Sequence, residues 1–461
     1  MTDLQEWRNR NLSYYQDIEE LYQFFVQPQS EVLEIGSGTG YLLESVKPKY
    51  GLGIDTNSQV IENSQKRFPE LEFWVEKAEL FQSNKEFDYI LLANTVSYLE
   101  NIQKALVNVK KACKTSTKII LTFHNPGWEF VLKLATFLKQ RMQIETLNWL
   151  SYEDITNLLN LEGLEVIGKG KRMLVPRRIP LLYGLFNKYL APLPIINNLC
   201  LTEYIIARVQ PNLAEGKKNI QNFTCSVIVP ARNEAGNIES CVTRMPQLGK
   251  HTEIIFIEGH SQDNTWEEIQ RVQAKYGEQW DIKIDQQKGK GKGDAVRQGF
   301  AMATGDILII LDSDLTVLPE DLIYFFDAIA SGRCEFANGC RLVYPVNSEA
   351  MPWLNRMANR FFAWLLSYLL NVKIKDSLCG TKVLSRENYL RIAANRSYFG
   401  EFDPFGDFDL LFGAAKLGLK IQDIPVRYVP RSYGSSNIQH FKEGLVLLKM
   451  CLYAAQKIKF R

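Results

Sequence analysis

Two successive series of alternating strand-like and helical segments constrain the fold of this 461-residue chain more than any other feature. Alternating strands and helices imply a parallel sheet with helices on both faces, so the pattern predicts an α/β protein. The chain is too long for one ordinary hydrophobic core, which makes two domains the natural expectation. The strand-like segments are 32–36, 50–55, 72–78, 89–94, 118–124, 164–170 and 203–209 in the first series, and 225–234, 253–259, 282–286 and 307–314 in the second.

The residues between the two series show no hydrophobic periodicity. Segment 211–222, PNLAEGKKNIQN, contains Pro, Gly, Asn and Lys, a composition that is typical of a linker. We therefore predict a first domain over 1–210, a linker over 211–222 and a second domain over 223–461.

The composition argues against several classes of protein. A formal charge of +2 argues against nucleic-acid binding by bulk electrostatics. The eight cysteines include no C-x-x-C pair, which favours reduced thiols in a cytosolic protein over disulfides or a zinc site. Residues 1–15 lack an apolar signal-peptide core, and the apolar stretch 361–370 is too short to span a bilayer. We expect no transmembrane segment, while contact with a membrane surface remains open.

A glycine turn follows the first strand. In EIGSGTG, residues 34–40, three alternating glycines allow a sharp turn and the close approach of a ligand to the backbone. The next strand ends in Asp55, whose carboxylate can accept two hydrogen bonds from a ribose diol. This combination indicates a nucleoside-containing ligand, and a dinucleotide-binding domain is one alternative.

The stretches VLEIGSGTGYLLESV, GLGIDTNSQVIENSQKR and FDYILLANTVSYLENIQKAL together resemble the class I S-adenosylmethionine (SAM)-dependent methyltransferases. The resemblance implies a Rossmann-like domain, SAM as cofactor and 203–209 as a seventh strand. If the methyl acceptor is a hydroxyl, His124 is a candidate general base. The cofactor-binding residues that the resemblance implies are Glu34, Gly36, Gly38 and Gly40 around the methionine moiety, Asp55 on the ribose, Ala78 and Glu79 near the adenine, and Asn94 in the pocket for donor and acceptor.

An insertion at 171–199 mixes basic residues with Leu, Ile, Phe and Tyr. Such a mixture can lie at a lipid interface, and it can equally form a lid over the acceptor pocket or a pad between domains. These readings stay open at this point. The basic residues concerned are Lys171, Arg172, Arg177 and Arg178.

The second series contains a buried strand that ends in two acids, in ILIILDSDL at 307–315. Alternate side chains of a strand point the same way, so Asp312 and Asp314 are predicted to face the ligand-binding edge of the sheet together. Two adjacent carboxylates repel each other unless a cation lies between them or one of them is protonated. Hard oxygen ligands suit Mg²⁺ or Mn²⁺, which bring a diphosphate with them, so we predict a metal site on this pair.

The segments VIVPARNEAGNIESCV, EIIFIEGHSQDNTWEEI and QKGKGKGDAVRQGF surround this pair and resemble the family 2 glycosyltransferases with the GT-A fold. The likeness is greatest to the branch that makes polyprenyl-phosphate (dolichyl-phosphate-type) mannose or glucose. It implies a nucleotide-sugar donor, a polyprenyl-phosphate or glycolipid acceptor, and inversion at the anomeric carbon. The nucleotide-sugar-binding residues that it implies are Pro230, Ala231, Asn233, Glu234, Glu258, Lys290, Gly291, Asp312, Asp376 and Lys382.

Further catalytic residues are implied by two later segments, GDFDLLFGAAKLG and PRSYGSSN. Asp407 and Asp409 match the acidic helix of the family, and either can serve as base for a hydroxyl acceptor, whereas a phosphate acceptor needs none. Arg431, Ser435 and Ser436 match a phosphate-binding loop, in which Asn437 stands where lysine is usual. The predicted catalytic set is therefore Asp312, Asp314, Asp407, Asp409 and Arg431.

A helix over 353–370 is predicted to place its aromatic residues on one face, which suits contact with lipid. We therefore expect a bifunctional transferase that is peripheral at the cytoplasmic face of a membrane, with no nucleic-acid partner. Two alternatives are a glycosyltransferase with a hydroxyl acceptor and a first domain that is only a binding or scaffolding module. The residues on the predicted apolar face are Trp353, Leu354, Met357, Phe361, Phe362, Trp364, Leu365, Tyr368 and Leu369, and those opposite include Asn355, Arg356, Asn359, Arg360 and Ser367.

Overall fold

The computed structural model describes residues 3–138, 148–177, 179, 182–344, 353–398, 406–431, 433–434 and 440–460. The chain divides into two compact units, which are described separately. Unit 1 is Met1–Gln210 with Lys459–Arg461, and unit 2 is Pro211–Ile458.

Unit 1 contains one sheet of seven strands in the order β3-β2-β1-β4-β5-β7-β6. Neighbouring strands are parallel except β7, which runs antiparallel to both β5 and β6, so the sheet is mixed rather than wholly parallel. The strands are β1 (Glu31–Ile35), β2 (Tyr50–Asp55), β3 (Glu72–Val75), β4 (Phe87–Ala93), β5 (Cys113–His124), β6 (Leu164–Arg172) and β7 (Thr202–Val209).

Most connections between these strands are helical. Asn57 caps α4 and Asn101 caps α5 by accepting backbone hydrogen bonds, and Ser151 with Asp154 forms a capping box at α7. The helices are α1 (Asp3–Arg10), α2 (Leu12–Phe25), α3 (Tyr41–Ser45), α4 (Ser58–Arg67), α5 (Ile102–Lys111), α6 (Glu129–Phe137), α7 (Tyr152–Leu161) and α8 (Leu182–Gly184).

The central strands of unit 1 are buried on both faces. Leu33, Ile54, Ile90 and Ile119 pack in one cluster with Leu106 of α5. Helices that cover a largely parallel sheet explain the apolar runs YILLA in β4 and IIL in β5. This core fixes the carboxyl ends of β1, β2 and β4, where the predicted cofactor residues lie.

Unit 2 contains a second sheet of seven strands, in the order β10-β9-β8-β11-β13-β12-β14. β13 is antiparallel to β11 and to β12, and the other neighbours are parallel. The strands are β8 (Thr224–Ala231), β9 (His251–Glu258), β10 (Asp281–Gln286), β11 (Ile307–Ile310), β12 (Phe336–Cys340), β13 (Lys382–Ser385) and β14 (Ile421–Pro425).

The helices of unit 2 pack on both faces of this sheet. Ile228 and Leu308 belong to one core cluster, whereas Val227 and Ile309 belong to the other, as the alternation of side chains along a strand requires. The helices are α9 (Leu213–Asn219), α10 (Ile238–Thr243), α11 (Thr265–Tyr276), α12 (Lys292–Met302), α13 (Leu322–Ala330), α14 (Trp353–Leu370), α15 (Arg386–Ala394), α16 (Asp407–Lys416) and α17 (His440–Ala454).

Two elements differ from the sequence-based expectation. The predicted linker contains α9, which begins because the Asn212 side chain accepts the backbone N–H of Glu215, and it belongs to unit 2. The strand predicted to extend to Asp314 ends at Ile310. The backbone N–H of Leu311 still donates to the carbonyl of Ile228 at 2.9 Å, and the chain then turns, with the N–H of Leu315 donating to the carbonyl of Asp312 at 3.2 Å. The Asp314 carboxylate accepts the backbone N–H of Thr316 at 3.1 Å, a local bond that competes with strand pairing.

Helix α14 buries part of the face that the sequence pattern assigned as polar. Asn359, Ala363 and Leu366 are buried, while Trp353 is 72% and Trp364 is 60% exposed. Asn359 is accommodated because its amide donates to the buried carboxylate of Asp376 at 2.7 Å. Within the described residues, no helix combines the length and apolar character needed to cross a bilayer.

Candidate functional site

The turn after β1 is compact and opens at one glycine. Gly36, Gly38 and Gly40 have φ values of +73°, +49° and +77°, a region that L side chains rarely adopt. A Cβ atom at Gly36 would lie 2.6 Å from the Thr95 hydroxyl, whereas at Gly38 it would meet nothing within 4 Å. The free space at Gly38 is where a ligand can approach the backbone.

Asp55 joins the end of β2 to this glycine turn. Its Oδ2 accepts the backbone N–H of Gly38 at 2.9 Å, and its Oδ1 accepts that of Asn57 at 2.9 Å. Each carboxylate oxygen can accept a second hydrogen bond, so the group can still bind a diol. The predicted glycine and ribose positions are therefore adjacent.

Glu34 lies beneath the turn with 2% of its surface exposed. Burial raises the pKa of its carboxyl well above the usual value, although the backbone N–H of Leu43 opposes that rise. Its Oε2 is buried and has no hydrogen-bond partner among the described residues. A buried polar atom of this kind is suited to hydrogen bonding with a polar ligand group.

The two predicted adenine-side residues follow β3. Ala78 is buried, and its carbonyl accepts the Asn108 amide at 3.3 Å. The Oε1 of Glu79 accepts the backbone N–H groups of Glu100 and Asn101 at 3.0 and 3.2 Å. Glu79 thus orders the loop before α5, and its role in cofactor binding stays a prediction.

Asn94 begins a hydrogen-bonded group that also contains Tyr14 and His124. Asn94 Nδ2 donates to Tyr14 Oη at 2.9 Å, and Tyr14 Oη lies 3.3 Å from His124 Nε2. Because the amide donates to the phenol, the phenol can donate to a neutral imidazole, and the group can relay a proton. Asn94 Oδ1 is buried and makes no hydrogen bond to a described residue.

In unit 2, the ends of β8 and β9 are tied together. Asn233, with φ +57°, accepts the backbone N–H of Gln262 at 2.7 Å. The buried Glu258 accepts the N–H of Ser261 at 2.6 Å, and the carbonyl of Pro230 accepts the Ser313 hydroxyl at 2.9 Å. These bonds place the predicted nucleotide-binding residues Pro230, Ala231 and Asn233 beside the turn that carries the two acids.

Lys292, the first residue of α12, lies between two of the predicted catalytic acids. Its Nζ is 2.6 Å from Asp312 Oδ1 and 3.5 Å from Asp407 Oδ2. Any side chain at Gly380 would overlap Asp312 and Lys292, so this glycine permits their contact. The predicted Lys290 is exposed in the loop before α12, next to Gly291 at φ +85°.

Arg431 makes the corresponding contact with the second acid. One guanidinium nitrogen lies 2.6 Å from Asp314 Oδ2, and another lies 3.1 Å from Glu234 Oε1. Burial raises the pKa of Glu234 to about 7, even though Arg431 and Asn237 lower it. Glu234 therefore changes charge near neutral pH while it contacts the arginine.

The cations decide the charge state of Asp312. Burial alone would raise the pKa of its carboxyl, but Lys292, together with the charges of Lys382 and Arg341, outweighs burial and holds the pKa below its usual value. Burial alone would lower the pKa of the Lys292 amine, but the carboxylates of Asp312 and Asp407 raise it above its usual value. Asp312 is therefore an ionised carboxylate beside a protonated amine, an arrangement that can exchange partners with a diphosphate.

A divalent ion can bind to Asp312 and Asp314 if substrate phosphates and water supply its remaining ligands. The described residues contain no group of three or more His, Cys, Asp or Glu side chains that could hold a metal. Asp312 and Asp314 can supply two oxygen ligands, and Mg²⁺ commonly takes its remaining ligands from substrate phosphates and water. The residues thus fit an ion that binds together with the diphosphate and displaces Lys292 and Arg431.

Two family models match the chain. Residues 226–391 match the model described as glycosyl transferase family 2, and residues 33–119 match a methyltransferase domain. The chain joins a methyltransferase domain to a family 2 glycosyltransferase domain. These domains correspond to unit 1 and unit 2, which confirms the resemblance and the two-part α/β fold predicted from the motifs.

Relatives of the glycosyltransferase domain include dolichol-phosphate mannosyltransferase from Pyrococcus furiosus, 29% identical over 222 residues. That match covers 46% of this chain and 59% of the relative, so the chain spans less than two thirds of that protein. Dolichyl-phosphate beta-glucosyltransferase from Saccharomyces cerevisiae is 28% identical over 245 residues, covering 48% and 72%. Among solved structures, a SAM-dependent methyltransferase from Thermotoga maritima, titled a possible histamine N-methyltransferase, is 16% identical, with TM-score 0.35 and coverage of 44% and 93%.

The glycosyltransferase domain places two predicted sugar-pocket residues inside the protein. The fully buried Asp376 accepts the Arg341 guanidinium at 2.8 and 2.9 Å. Lys382 is also fully buried and donates to the carbonyl of Cys379, and its charge helps to lower the pKa of Asp312. Both residues are thus held by contacts inside the protein, and direct sugar binding by either of them stays a prediction.

The two acids of α16 face different partners. Asp407 faces Lys292, whereas Asp409 Oδ2 accepts the Nε–H of Arg396 at 2.7 Å. Residues two apart on a helix differ by about 200° in direction, so both acids cannot face one site. The structure brings Asp407 to the Asp312 site and does not bring Asp409 there. Ser435, Ser436 and Asn437 lie outside the described residues.

Sequence reasoning missed Lys292 and Tyr14. Lys288, Lys290 and Lys292 alternate in one glycine-rich stretch, and only the start of α12 shows which of them faces the acids. Tyr14 comes from α2 and meets residues 80 and 110 positions further along the chain. A contact at such separation leaves no local sequence signal.

We predict that the carboxylate of Asp376 stabilises the folded protein in a pH-dependent way. Burial alone would raise its pKa, but Arg341 outweighs burial and lowers the pKa to about 2. A depressed folded-state pKa adds stability that is present above the unfolded pKa and lost as pH falls through the folded one. We expect Asp376→Asn to lower the free energy of unfolding by about 3–5 kcal/mol at neutral pH, because Arg341 stays buried without its partner.

The measurement is urea unfolding of both proteins at pH 7 and at steps below about pH 4, the unfolded pKa of aspartate. The difference in free energy of unfolding between the wild type and Asp376→Asn should become smaller as the pH falls. Glu278→Gln, which changes an exposed residue of the same domain, should unfold like the wild type. Equal stability of Asp376→Asn and wild type at pH 7 would contradict the assignment.

Lys292 is predicted to bind the diphosphate of the donor. Lys292→Ala removes the cation that balances Asp312 and Asp407, so both carboxylates repel an incoming diphosphate. We expect the affinities for GDP and for UDP to fall tenfold or more, roughly 1.4 kcal/mol, in calorimetry. Lys290→Ala, which removes an exposed lysine two positions away, is the matched control with a smaller loss. Equal losses in the two variants would show that Lys292 has no special role.

Proposed function

We propose that the chain is a bifunctional transferase. The glycosyltransferase domain transfers a sugar from a nucleotide-sugar to a polyprenyl-phosphate-type acceptor with inversion, and the methyltransferase domain transfers a methyl group from SAM. The observation that carries the first activity is the pairing of Asp312 with Lys292 and of Asp314 with Arg431 beyond the end of β11.

The donor side of the reaction requires positive charge at the leaving diphosphate. Negative charge develops there as the bond to the sugar breaks, and preorganised cations stabilise it. Lys292 and Arg431 are held beside the acids, and they turn toward phosphate oxygens once the acids bind another cation. Mg²⁺ or Mn²⁺, which Asp312 and Asp314 would hold, supplies additional positive charge when bound.

The acceptor side is best satisfied by a phosphate. A phosphate oxygen is already ionised and attacks the anomeric carbon without a base, from the face opposite the leaving group. The names of the relatives from Pyrococcus and Saccharomyces agree with a lipid-phosphate acceptor. A hydroxyl acceptor would need a base, and Asp407 is the better placed of the two acids on α16 because it faces Lys292.

Access to a lipid acceptor is supported by the exposed side of α14. Trp353, Met357, Phe361 and Trp364 are exposed along this helix, and Leu445 and Leu452 of the neighbouring α17 are exposed as well. Aromatic and aliphatic side chains on the outside of a helix suit the boundary between lipid headgroups and acyl chains. We assign this surface to peripheral contact with the cytoplasmic face of a membrane.

In the methyltransferase domain, Gly36, Gly38 and Asp55 would hold SAM, with Glu34 beneath the turn. SAM carries an activated methyl group, so the chain's own task is to align the acceptor and exclude water. For a hydroxyl acceptor, Tyr14 Oη takes the acceptor proton while its own proton passes to His124 Nε2. Asn94 donates to Tyr14 and keeps the phenol oriented for that transfer.

The test of sugar transfer is a screen of nucleotide sugars bearing mannose or glucose against a polyprenyl phosphate. We expect lipid-linked sugar and nucleoside diphosphate in equal amounts. Asp314→Asn should lower turnover by about a hundredfold or more, because it weakens the stabilisation of the leaving group. Asp306→Asn changes the same residue type at the other end of β11 and should keep nearly full activity.

Two results would contradict this account. Full turnover in the presence of a chelator would exclude the divalent ion. Sugar transfer to saccharide hydroxyls without lipid product would exclude the phosphate acceptor.

The test of the methyltransferase domain is binding of SAM by calorimetry. Asp55→Asn should weaken binding at least tenfold, roughly 1.4 kcal/mol, since it removes an anionic acceptor next to the ribose position. Glu70→Gln, an exposed acid of the same domain, should leave the affinity unchanged. Absence of binding to the wild-type chain would support the alternative of a scaffolding module.

A further inference from the structure

Helix α6 of the methyltransferase domain turns its large apolar side chains outward. Phe130 is 77% and Phe137 is 82% exposed, and Val131 and Leu134 between them are exposed as well. Leu132 is the buried residue of this helix. A surface helix of a water-exposed protein normally shows the opposite pattern, with its apolar stripe against the core.

A second exposed apolar segment follows β6. Between 182 and 199, Leu182, Leu185, Tyr189, Ile195 and Leu199 are exposed. Ile195 is the extreme case, since it is 84% exposed and has φ +72°, although a β-branched residue rarely adopts a positive φ. Prolines at 192 and 194 restrict the backbone that presents this isoleucine.

Direct contacts hold the two segments together. Trp128, just before α6, donates its indole N–H to the carbonyl of Leu199 at 2.8 Å, and Asn125 donates to the carbonyl of Asn198 at 3.0 Å. Beneath them, Leu132 packs in one cluster with Met173 and Leu201. Together, α6 and segment 182–199 form one apolar surface, here named the α6 surface and represented by Phe130, Leu134, Phe137, Ile195 and Leu199.

The two segments that form the α6 surface and flank it are predominantly basic in sequence. The whole chain holds 54 basic and 52 acidic residues, whereas segments 129–144 and 171–200 together contain eight basic residues and one acid, Glu129. Lys133 pairs with Glu129 of the same helix, and Lys171 and Arg172 pair with Glu203 and Asp17, so these three cations are neutralised. The basic residues of the two segments are Lys133, Lys139, Arg141, Lys171, Arg172, Arg177, Arg178 and Lys188.

We propose that the α6 surface is a lipid-contacting surface of the methyltransferase domain, which docks on an anionic bilayer. Phenylalanine, leucine and isoleucine enter the boundary of the acyl chains while lysine and arginine remain among the headgroups. The helix of nine residues lies on the bilayer, because it is far too short to cross it. This surface is additional to α14, which lies in the other domain.

The α6 surface also lies beside the predicted methyl-acceptor site. The cluster of Leu132, Met173 and Leu201 contacts Tyr14, whose hydroxyl bonds to Asn94 and approaches His124. Resting on the proposed methyl transfer, this adjacency identifies the methyl acceptor as a membrane-borne molecule that presents its polar group to Tyr14.

The experiment is co-sedimentation of the full chain with vesicles of phosphatidylcholine mixed with phosphatidylglycerol, and of phosphatidylcholine alone. Every protein carries Trp353→Glu and Trp364→Glu, which removes the contact proposed for α14. Adding Phe137→Glu and Ile195→Asp should lower binding to the mixed vesicles at least tenfold, since both substitutions remove a large apolar side chain that binding would bury in the bilayer. Adding Leu161→Glu, a residue 62% exposed on α7, should leave binding unchanged.

Several results decide the matter. Binding that falls with added salt, and that is weaker on phosphatidylcholine alone, supports the proposal because exposed charges are screened. Failure of the α14 background to bind, or equal loss with Leu161→Glu, overturns it. A dimer in light scattering that Phe137→Glu dissociates assigns the surface to a second copy and also overturns it. Calorimetry with SAM reports separately on cofactor binding, so loss of lipid binding with intact SAM binding concerns this surface alone.

Discussion

The ion pairs at the end of β11 are the interaction on which the glycosyltransferase domain depends. Asp312 and Asp314 would repel each other, and the positive charges of Lys292 and Arg431 offset that repulsion. Lys292 opens α12 and Arg431 follows β14, so the network fixes two elements that are far apart in sequence. Each cation is shared with a further acid, Asp407 or Glu234. A diphosphate and its cation can take over these partners without leaving a buried charge unpaired.

In the methyltransferase domain, a hydrogen bond from a neutral backbone N–H to a carboxylate takes the place of the ion pairs. The backbone of Gly38 reaches Asp55 because the turn after β1 passes through left-handed conformations that glycine alone adopts at little cost. That bond aligns the ends of two neighbouring strands before any ligand arrives. Preorganisation of this kind reduces what binding must supply, which suits a reaction whose cofactor is already activated.

Much of the fold and part of the site could be predicted from the sequence. Alternating strand-like and helical segments indicated two α/β domains. The glycine turn with Asp55 marked the ligand-binding edge of the first sheet, and Asp312 and Asp314 marked that of the second. Local patterns could not show which lysine meets Asp312, because that depends on where α12 begins. They also placed Asn359 on a polar face, whereas the buried carboxylate of Asp376 draws it inward. The role of Tyr14 could not be predicted from a local pattern either, because its partners Asn94 and His124 lie on distant elements.

The position at which the diphosphate of the donor binds can be determined directly by crystallography. Crystals of the chain soaked with Mn²⁺ and a nucleotide sugar should show an ion on Asp312 and Asp314. Phosphate oxygens should lie within hydrogen-bond distance of Lys292 Nζ and the Arg431 guanidinium. A nucleotide bound elsewhere, with Asp312 still paired to Lys292 and Asp314 still paired to Arg431, would contradict the account.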